Sequence, residues 1–370
     1  VTESNSTTSI GFSLQLGGDV VTGVGLAWQA PQAETPNAIN TNQTVDGIAC
    51  IVEPPTPDIV KIHDIQGAGD FNLLDGQTVR VEAVVVGDFQ DIDGDNSRNL
   101  RGFYLQEENI DHDGDSATSE GIFVFANNFA VDVNVGDVVQ VTGAIDEFFG
   151  ETQIENITNV VVVGTAVEGV DYSAAVITLP LPTRTNFDGE LIADLEPYEG
   201  MLVTFPQDLT ITELFQLGRF GELSISQGGR LFQYTNDNTP SVTGYAAHLQ
   251  DIASRSIVID DGLTFQNPNP VLVPGNIDLT TDAFRMGDTL TNVTGVVRFS
   301  RGSGGSGDEV YRIMLPSATY TAVNTRTAAP EVGGDLRVAS FNVLNFFTTL
   351  DDGSNDICGP LNNVECRGAD

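Results

Sequence analysis

The twelve residues Asn109–Glu120, NIDHDGDSATSE, have the spacing of a calcium loop. Oxygen-bearing side chains stand at its first, third and fifth positions, Asn109, Asp111 and Asp113, with Asp115 as a further carboxylate. Gly114 follows at the sixth position and Glu120 at the twelfth. Calcium takes six to eight oxygens, and short acidic side chains wrap it only where a glycine permits the sharp bend. Two features depart from an EF-hand. Asn109 brings no charge, and Ser116 stands where an apolar residue is usual. The flanks GFYLQEE and GIFVFAN read as strands, so the expectation is a calcium loop in a β-hairpin, not a sensor that opens. The competing reading is an acidic, solvated turn. Asp91, Asp93 and Asp95 nearby either join such a site or form a turn of their own.

A second set of chemistry-bearing residues lies further on. Arg219, Arg230, Arg298 and Arg301 are interleaved with aromatics, including Tyr234, in GRFGEL, GRLFQY and VVRFSRGSGG, and Arg312 follows Tyr311 in EVYRIML. Small barrels hold single-stranded nucleic acid by stacking bases on aromatics while arginine takes the phosphates. The alternative is that Phe220, Phe232 and Phe299 are core and the arginines are ion-pair partners. His63, His112 and His248 are scattered, and neither a Ser-His-Asp arrangement nor a phosphate-binding glycine-rich helix start is evident.

These residues need a β framework. The chain reads as mainly β, with two tandem OB-like β-barrels at 59–165 and 166–325. Candidate strands of the first barrel are VKIHDI, QTVRVEAVVVGDF, RGFYLQEE, EGIFVFAN, DVVQVTGAIDEF and NVVVVG. Those of the second are EGMLVTFPQDLTITEL, GELSISQ, RLFQYTN, RSIVIDDG, GDTLTNVTGVVRF and EVYRIML, with a short helix near Val242–Ala253. GDVVQVTGAI at 136–145 and GDTLTNVTGVV at 287–297 share a Gly-Asp turn, alternating apolar residues and Val-Thr-Gly, as two copies of one barrel type would. Residues 1–40 form a β-rich N-terminal segment. Residues 41–58 read as a Pro-rich linker, 326–335 as another, and 336–370 as the start of a further domain.

Composition limits the partners. The chain has 15 basic residues against 52 acidic ones, a net charge of −37, and Lys61 is its sole lysine. Such a surface repels polyanions and concentrates cations, which disfavours a broad basic grip on nucleic acid. Cys358 and Cys366 enclose a Gly/Pro/Asn-rich stretch, CGPLNNVEC, suited to a small disulfide loop in an oxidising compartment; Cys50 is left over. No apolar run reaches membrane-spanning length, and VTESNSTTS has no signal-peptide pattern, which fits a mature or excised piece of a secreted protein.

Near the C-terminus, LRVASFNVLNFF (336–347) reads as a buried strand ending on asparagines. SFNVLNFF resembles the opening strand of the endonuclease/exonuclease/phosphatase superfamily. Asn342 matches the asparagine that helps bind that fold's catalytic divalent metal, Mg²⁺ or Mn²⁺. From Val60 to Asp370 the chain is similar to secreted bacterial nucleases of the ExeM/NucH type. That likeness rests on IHDIQGAGD, GFYLQEENIDHDGDSATSEGIFVF, EFFGETQI, LEPYEGMLV, LGRFGELSIS and the segment from Leu336 onward. It implies OB-like domains followed by an α/β-sandwich phosphodiesterase domain that cuts extracellular DNA, in some members RNA. The remaining catalytic residues would lie past Asp370. Trp28 and the following Thr35-Pro36-Asn37 resemble the closing strand of a lamin-tail-type domain. A different reading of the same composition is a calcium-stabilised surface adhesion or matrix-binding β module.

Overall fold

In the computed structural model, residues 57–90, 100–127, 131–268 and most of 271–340 are described, together with short strand pairs in 12–49 and at 357–365. The protein is mainly β. It divides into two compact units, Val1–Thr325 and Arg326–Asp370.

The first unit holds two five-stranded rings. The first ring comprises β1 (Thr78–Phe89), β2 (Gly102–Gln106), β3 (Gly121–Val124), β4 (Asp137–Phe148) and β5 (Glu151–Thr165). Its order is β4-β5-β3-β2-β1, closed by pairing of β1 with β4, and β3 runs parallel to β5. The second comprises β6 (Leu209–Glu213), β7 (Leu223–Gln227), β8 (Ser256–Asp260), β9 (Thr289–Ser300) and β10 (Val310–Thr321). It repeats the order, β9-β6-β7-β8-β10 with β9 back on β10 and β8 parallel to β10. This is the five-stranded arrangement expected of an OB-type barrel.

The internal repeat has a physical basis. Gly136 and Gly287 both adopt positive φ, 94° and 93°, at the turn before the fourth strand. Each donates its N–H to the first strand of its own ring, Gly136 to the Val85 carbonyl at 2.9 Å and Gly287 to that of Ile211 at 2.7 Å. The next residue accepts from the turn, Asp137 from the Asn134 N–H at 2.9 Å and Asp288 from the Arg285 N–H at 3.0 Å. One Gly-Asp pair thus fixes the register in each ring.

The rings do not stand apart. In β1, Val79, Val81, Ala83 and Val85 face the core of the first ring. Val84 and Val86 point the other way, into a separate core shared with Phe89, Tyr104, Phe123, Val296 and Met314. The apolar run of VEAVVV is therefore a strand buried on both faces. Across this seam Gly121 meets Gly200 backbone to backbone. A Cβ on Gly121 would lie 2.3 Å from Met201 N, and one on Gly200, at φ +75°, 2.5 Å from Ile122 N. The Thr152 N–H donates to Glu199 Oε1 at 2.9 Å, and the Leu202 N–H to Gln106 Oε1 at 2.9 Å. Glu151 takes the Tyr104 hydroxyl at 2.8 Å and Arg298 Nε at 3.2 Å.

Several expected elements differ. Leu336 and Val338, expected in a buried strand, carry no strand and are exposed. Ile62–Gln66, expected within a strand, is a short helix, α1, that buries Ile62 and Ile65 in the first ring. Leu231–Asn236 carries no strand and ends in a single 3₁₀ turn, Tyr234–Asn236. EGMLVTFPQDLTITEL splits into Leu202–Phe205 and β6 around Pro206, which cannot donate to a ladder. The expected linker at 41–58 contributes Gln43–Val45 and Ile48–Ala49 to a four-stranded sheet with Leu16–Asp19 and Ala27–Trp28. A single helical turn, α2, spans Leu217–Phe220, and the expected helix is α3, Val242–Ser254, capped by the Ser241 hydroxyl, which accepts from the Gly244 N–H.

Replacing Gly200 with valine is expected to force the seam open at a cost of roughly 3–5 kcal/mol. In thermal melts the variant should unfold well below the native chain or in two steps. Gly69→Val, at an exposed position with nothing within 4 Å, should be neutral. A G200V melt that coincides with the native one contradicts the packing described.

Candidate functional site

The calcium-loop residues go to three places. Gly114 makes the sharp turn, at φ +78°. Asp113 and Glu120 come together and are joined by His63 from α1, the donor atoms all within 4.8 Å of one another. Glu120 is buried; its Oε1 accepts the Asp113 N–H at 3.0 Å, and its Oε2 lies 2.8 Å from His63 Nδ1. Burial alone would lower the His63 pKa, but the hydrogen bond and charge of Glu120, with Asp113, outweigh it and raise it. Asp113 is held below its ordinary range by the Asp115 N–H, and Thr118 Oγ1 also donates to it.

Asp111 turns instead to Lys61, its Oδ2 2.7 Å from Nζ. There it neighbours Glu107 and Glu108 in a second acidic group. Fully buried Glu107 accepts from Lys61 at 2.9 Å and from the Ile62 N–H at 2.8 Å. Asn109 faces the 170–173 loop, its Nδ2 3.2 Å from Ser173 Oγ. Asp115 accepts the Ala117 N–H at 3.0 Å. Of the five expected ligands, only Asp113 and Glu120 converge; Asp111 and Asp115 accept from nearer donors, and the Asn109 amide donates to Val170 O and Ser173 Oγ. His63, 57 positions before Glu120, is the member that sequence reading missed. The donor set is two carboxylates and an imidazole, which suits a divalent cation more widely than calcium alone. Asp91, Asp93 and Asp95 lie outside the described residues.

The expected nucleic-acid set is also dispersed. Arg312 is fully buried, bridging Glu222 at 3.3 Å and Asp260 at 3.4 Å. Arg298 serves the seam beside Phe123. Arg301 is paired with Asp188 at 2.8 Å and Glu309 at 3.3 Å. Phe220 and Phe299 are core. Arg219 and Arg230 are exposed, stacked on Phe220 and Phe232 at 4.9 and 5.3 Å from the ring centroids. Tyr234 packs against Tyr245 and His248. Arg298, Arg301 and Arg312 thus pair with acids, and only Arg219 and Arg230 of the expected set are left exposed without an ion pair among the described residues. Asn342, Cys50 and Cys366 lie outside the described residues, while Cys358 sits in a two-residue strand paired with Val364–Glu365.

Two buried acids carry large perturbations. Glu199 leaves Oε2 without a partner among the described residues. Burial, then the neighbouring Glu196 and Glu151, pushes its pKa well above the ordinary value. Asp261 accepts the Leu263 N–H at 2.9 Å through Oδ1, while Oδ2 is buried without a partner among the described residues. Burial is the main cause of its rise to about 7.

No protein-family model matches the chain, and no curated protein and no solved structure gives a significant match. No helix among the described residues is long and apolar enough to cross a membrane.

The Asp261 geometry sets a pH dependence. Its folded pKa, about 7, lies above the ordinary 3.8. Between those values the folded chain holds a proton that the unfolded chain has lost, so this group's contribution to stability falls as pH rises through the window. Asp261→Asn should be more stable than the native chain by about 1–3 kcal/mol near pH 8, with the advantage gone near pH 4. Urea melts at both values test this; an equal difference at both pH values rules it out.

Proposed function

We propose that the chain is the non-catalytic front of a secreted, metal-dependent nuclease, its two fused rings forming one rigid support for the catalytic domain that Leu336–Asp370 opens. The observation that carries this reading is the segment LRVASFNVLNFF, placed after two rings of one strand order. Phosphodiester hydrolysis needs a divalent ion to neutralise developing charge and a base to activate water. Asn342 would supply one Mg²⁺ or Mn²⁺ ligand and no more. The rings serve here as a scaffold that orients that domain on extracellular DNA, since their arginines are largely committed to internal pairs. A chain extended past Asp370 should cut DNA in the presence of magnesium and calcium, and its Asn342→Ala variant should lose most of that activity. An extended chain inert on both DNA and RNA rejects the reading.

In this account the hairpin loop binds calcium, with Asp113 and Glu120 as its nucleus. Saturating calcium should raise the melting temperature over an EDTA control, and Glu120→Gln should erase the rise. Unchanged melting on adding calcium reduces the loop to a hydrogen-bonded turn. The second reading, a calcium-stabilised adhesion or matrix-binding module, is favoured by one observation: the two clefts beside β7 and β8 are lined by acids and apolar residues, and the one arginine on them, Arg312, is held by Glu222 and Asp260.

A further inference from the structure

The face of the second ring built by β7, β8 and β10 is only partly covered among the described residues. It is roofed on one side by α3 and by the hairpin Thr183–Thr185/Leu191–Ala193. A cleft of about 600 Å³ runs between roof and sheet, with Leu191, Leu249, Ile252, Val258 and Val310 among its walls. A second cleft of about 260 Å³ continues from it toward the β6–β7 loop, and Ser224, Val258, Asp308 and Val310 line both. The β2–β3-type face and the loops beside it are where OB-type barrels take ligands, so this groove occupies the ligand-binding side of its ring. Ligand pockets of this size are mostly apolar with a few fixed polar groups.

The charge along the groove has one sign. Glu190 stands at the hairpin end, Asp308 at the middle, and Glu213 in the second cleft. Glu190 and Asp308 are exposed and form no ion pair among the described residues. The one cation on the lining is Arg312, whose guanidinium is buried and held by Glu222, Asp260 and two carbonyls. α3 is thinly packed: Ala253 is its only buried residue, while Tyr245 and Leu249 are 51% and 39% exposed. Both line the cleft.

We propose that this groove binds an extended segment of another protein in which aliphatic residues alternate with lysine or arginine. Apolar side chains would fill the walls, and the cations would meet acids spread along the groove, not gathered at one end. That spacing fits a polymer with repeated charges better than a small amine. Tyr245, Tyr311 and, in the second cleft, Phe215 join the aliphatic walls, surfaces on which the stems and cations of lysine and arginine pack. A second copy of this chain does not fit, because it has a single lysine and a net charge of −37. Single-stranded nucleic acid is disfavoured by the same acids. The proposal does not depend on the nuclease reading.

Fluorescence anisotropy on the whole chain tests it, with a dye-labelled peptide of alternating leucine and lysine as the probe. Peptides of alternating serine and lysine and of alternating leucine and glutamate, and an oligothymidine, serve as comparisons. The leucine–lysine peptide should bind at least about tenfold more tightly than each of these. Glu190→Gln with Asp308→Asn should weaken it by about tenfold or more, while Asp75→Asn with Glu168→Gln, exposed acids elsewhere, should not. Ser224→Trp, which fills the groove at the point both clefts share, should abolish binding with the melting temperature retained; Val258→Trp is the second variant should that one fail to fold. Equal binding of the serine–lysine and leucine–lysine peptides overturns the proposal, since bare charge would then account for it. So does indifference to groove filling, or preference for the oligothymidine.

Discussion

The seam between the two rings is the constraint on which the rest of the first unit depends. Gly121 and Gly200 bring two backbones into contact where no Cβ fits, and this lets Thr152 and Leu202 donate across the junction. Around that contact lie Val84, Val86, Tyr104 and Phe123 from one ring and Val296 and Met314 from the other. Glu151 sits among them, bound to Tyr104 and Arg298. Removing one partner of such a buried pair strands a charge, which typically costs about 3–5 kcal/mol, whereas the pair itself adds little net stability. The pair therefore fixes the alignment of the rings, and the shared apolar core supplies the stability.

The same seam explains the fate of the arginines. In a chain this acidic, each buried carboxylate needs a cation, a hydrogen-bond donor or its own proton. Arg298 and Arg312 answer Glu151, Glu222 and Asp260. Arg184 answers Asp70 and Glu196, the latter also bonded to the Tyr311 hydroxyl. Glu199 and Asp261 have no cation partner among the described residues and keep their protons to higher pH instead. With Arg298 and Arg312 drawn inward, the groove beside α3 is left to acids and apolar residues.

The framework was legible because its signals are local. Alternation along DVVQVTGAI and the Gly-Asp turn before it state both the strand and its register, and the copy at Gly287 states that the ring recurs. VEAVVV also carried the seam in plain view, as a strand apolar on both faces, yet nothing local says what covers the second face. The site was less legible because it is assembled over distance. The spacing of Asn109–Glu120 gave the turn at Gly114 but not the competition for its side chains, with Lys61 taking Asp111 and Ser173 taking Asn109. His63 reaches Glu120 only because α1 packs onto the first ring, and IHDIQ reads equally well as a strand. Arginine beside phenylalanine in VVRF is the same pattern whether it faces a base or, as at Arg298, a buried glutamate.

The claim that the rings move as one body is tested most directly by native-state hydrogen exchange at the two amides that cross the seam. Thr152 and Leu202 should exchange only through global unfolding, with the same protection as the central strand amides of Val85 and Ile225. Exchange of Thr152 and Leu202 through a lower-energy opening, with Val85 and Ile225 still protected, would contradict the account.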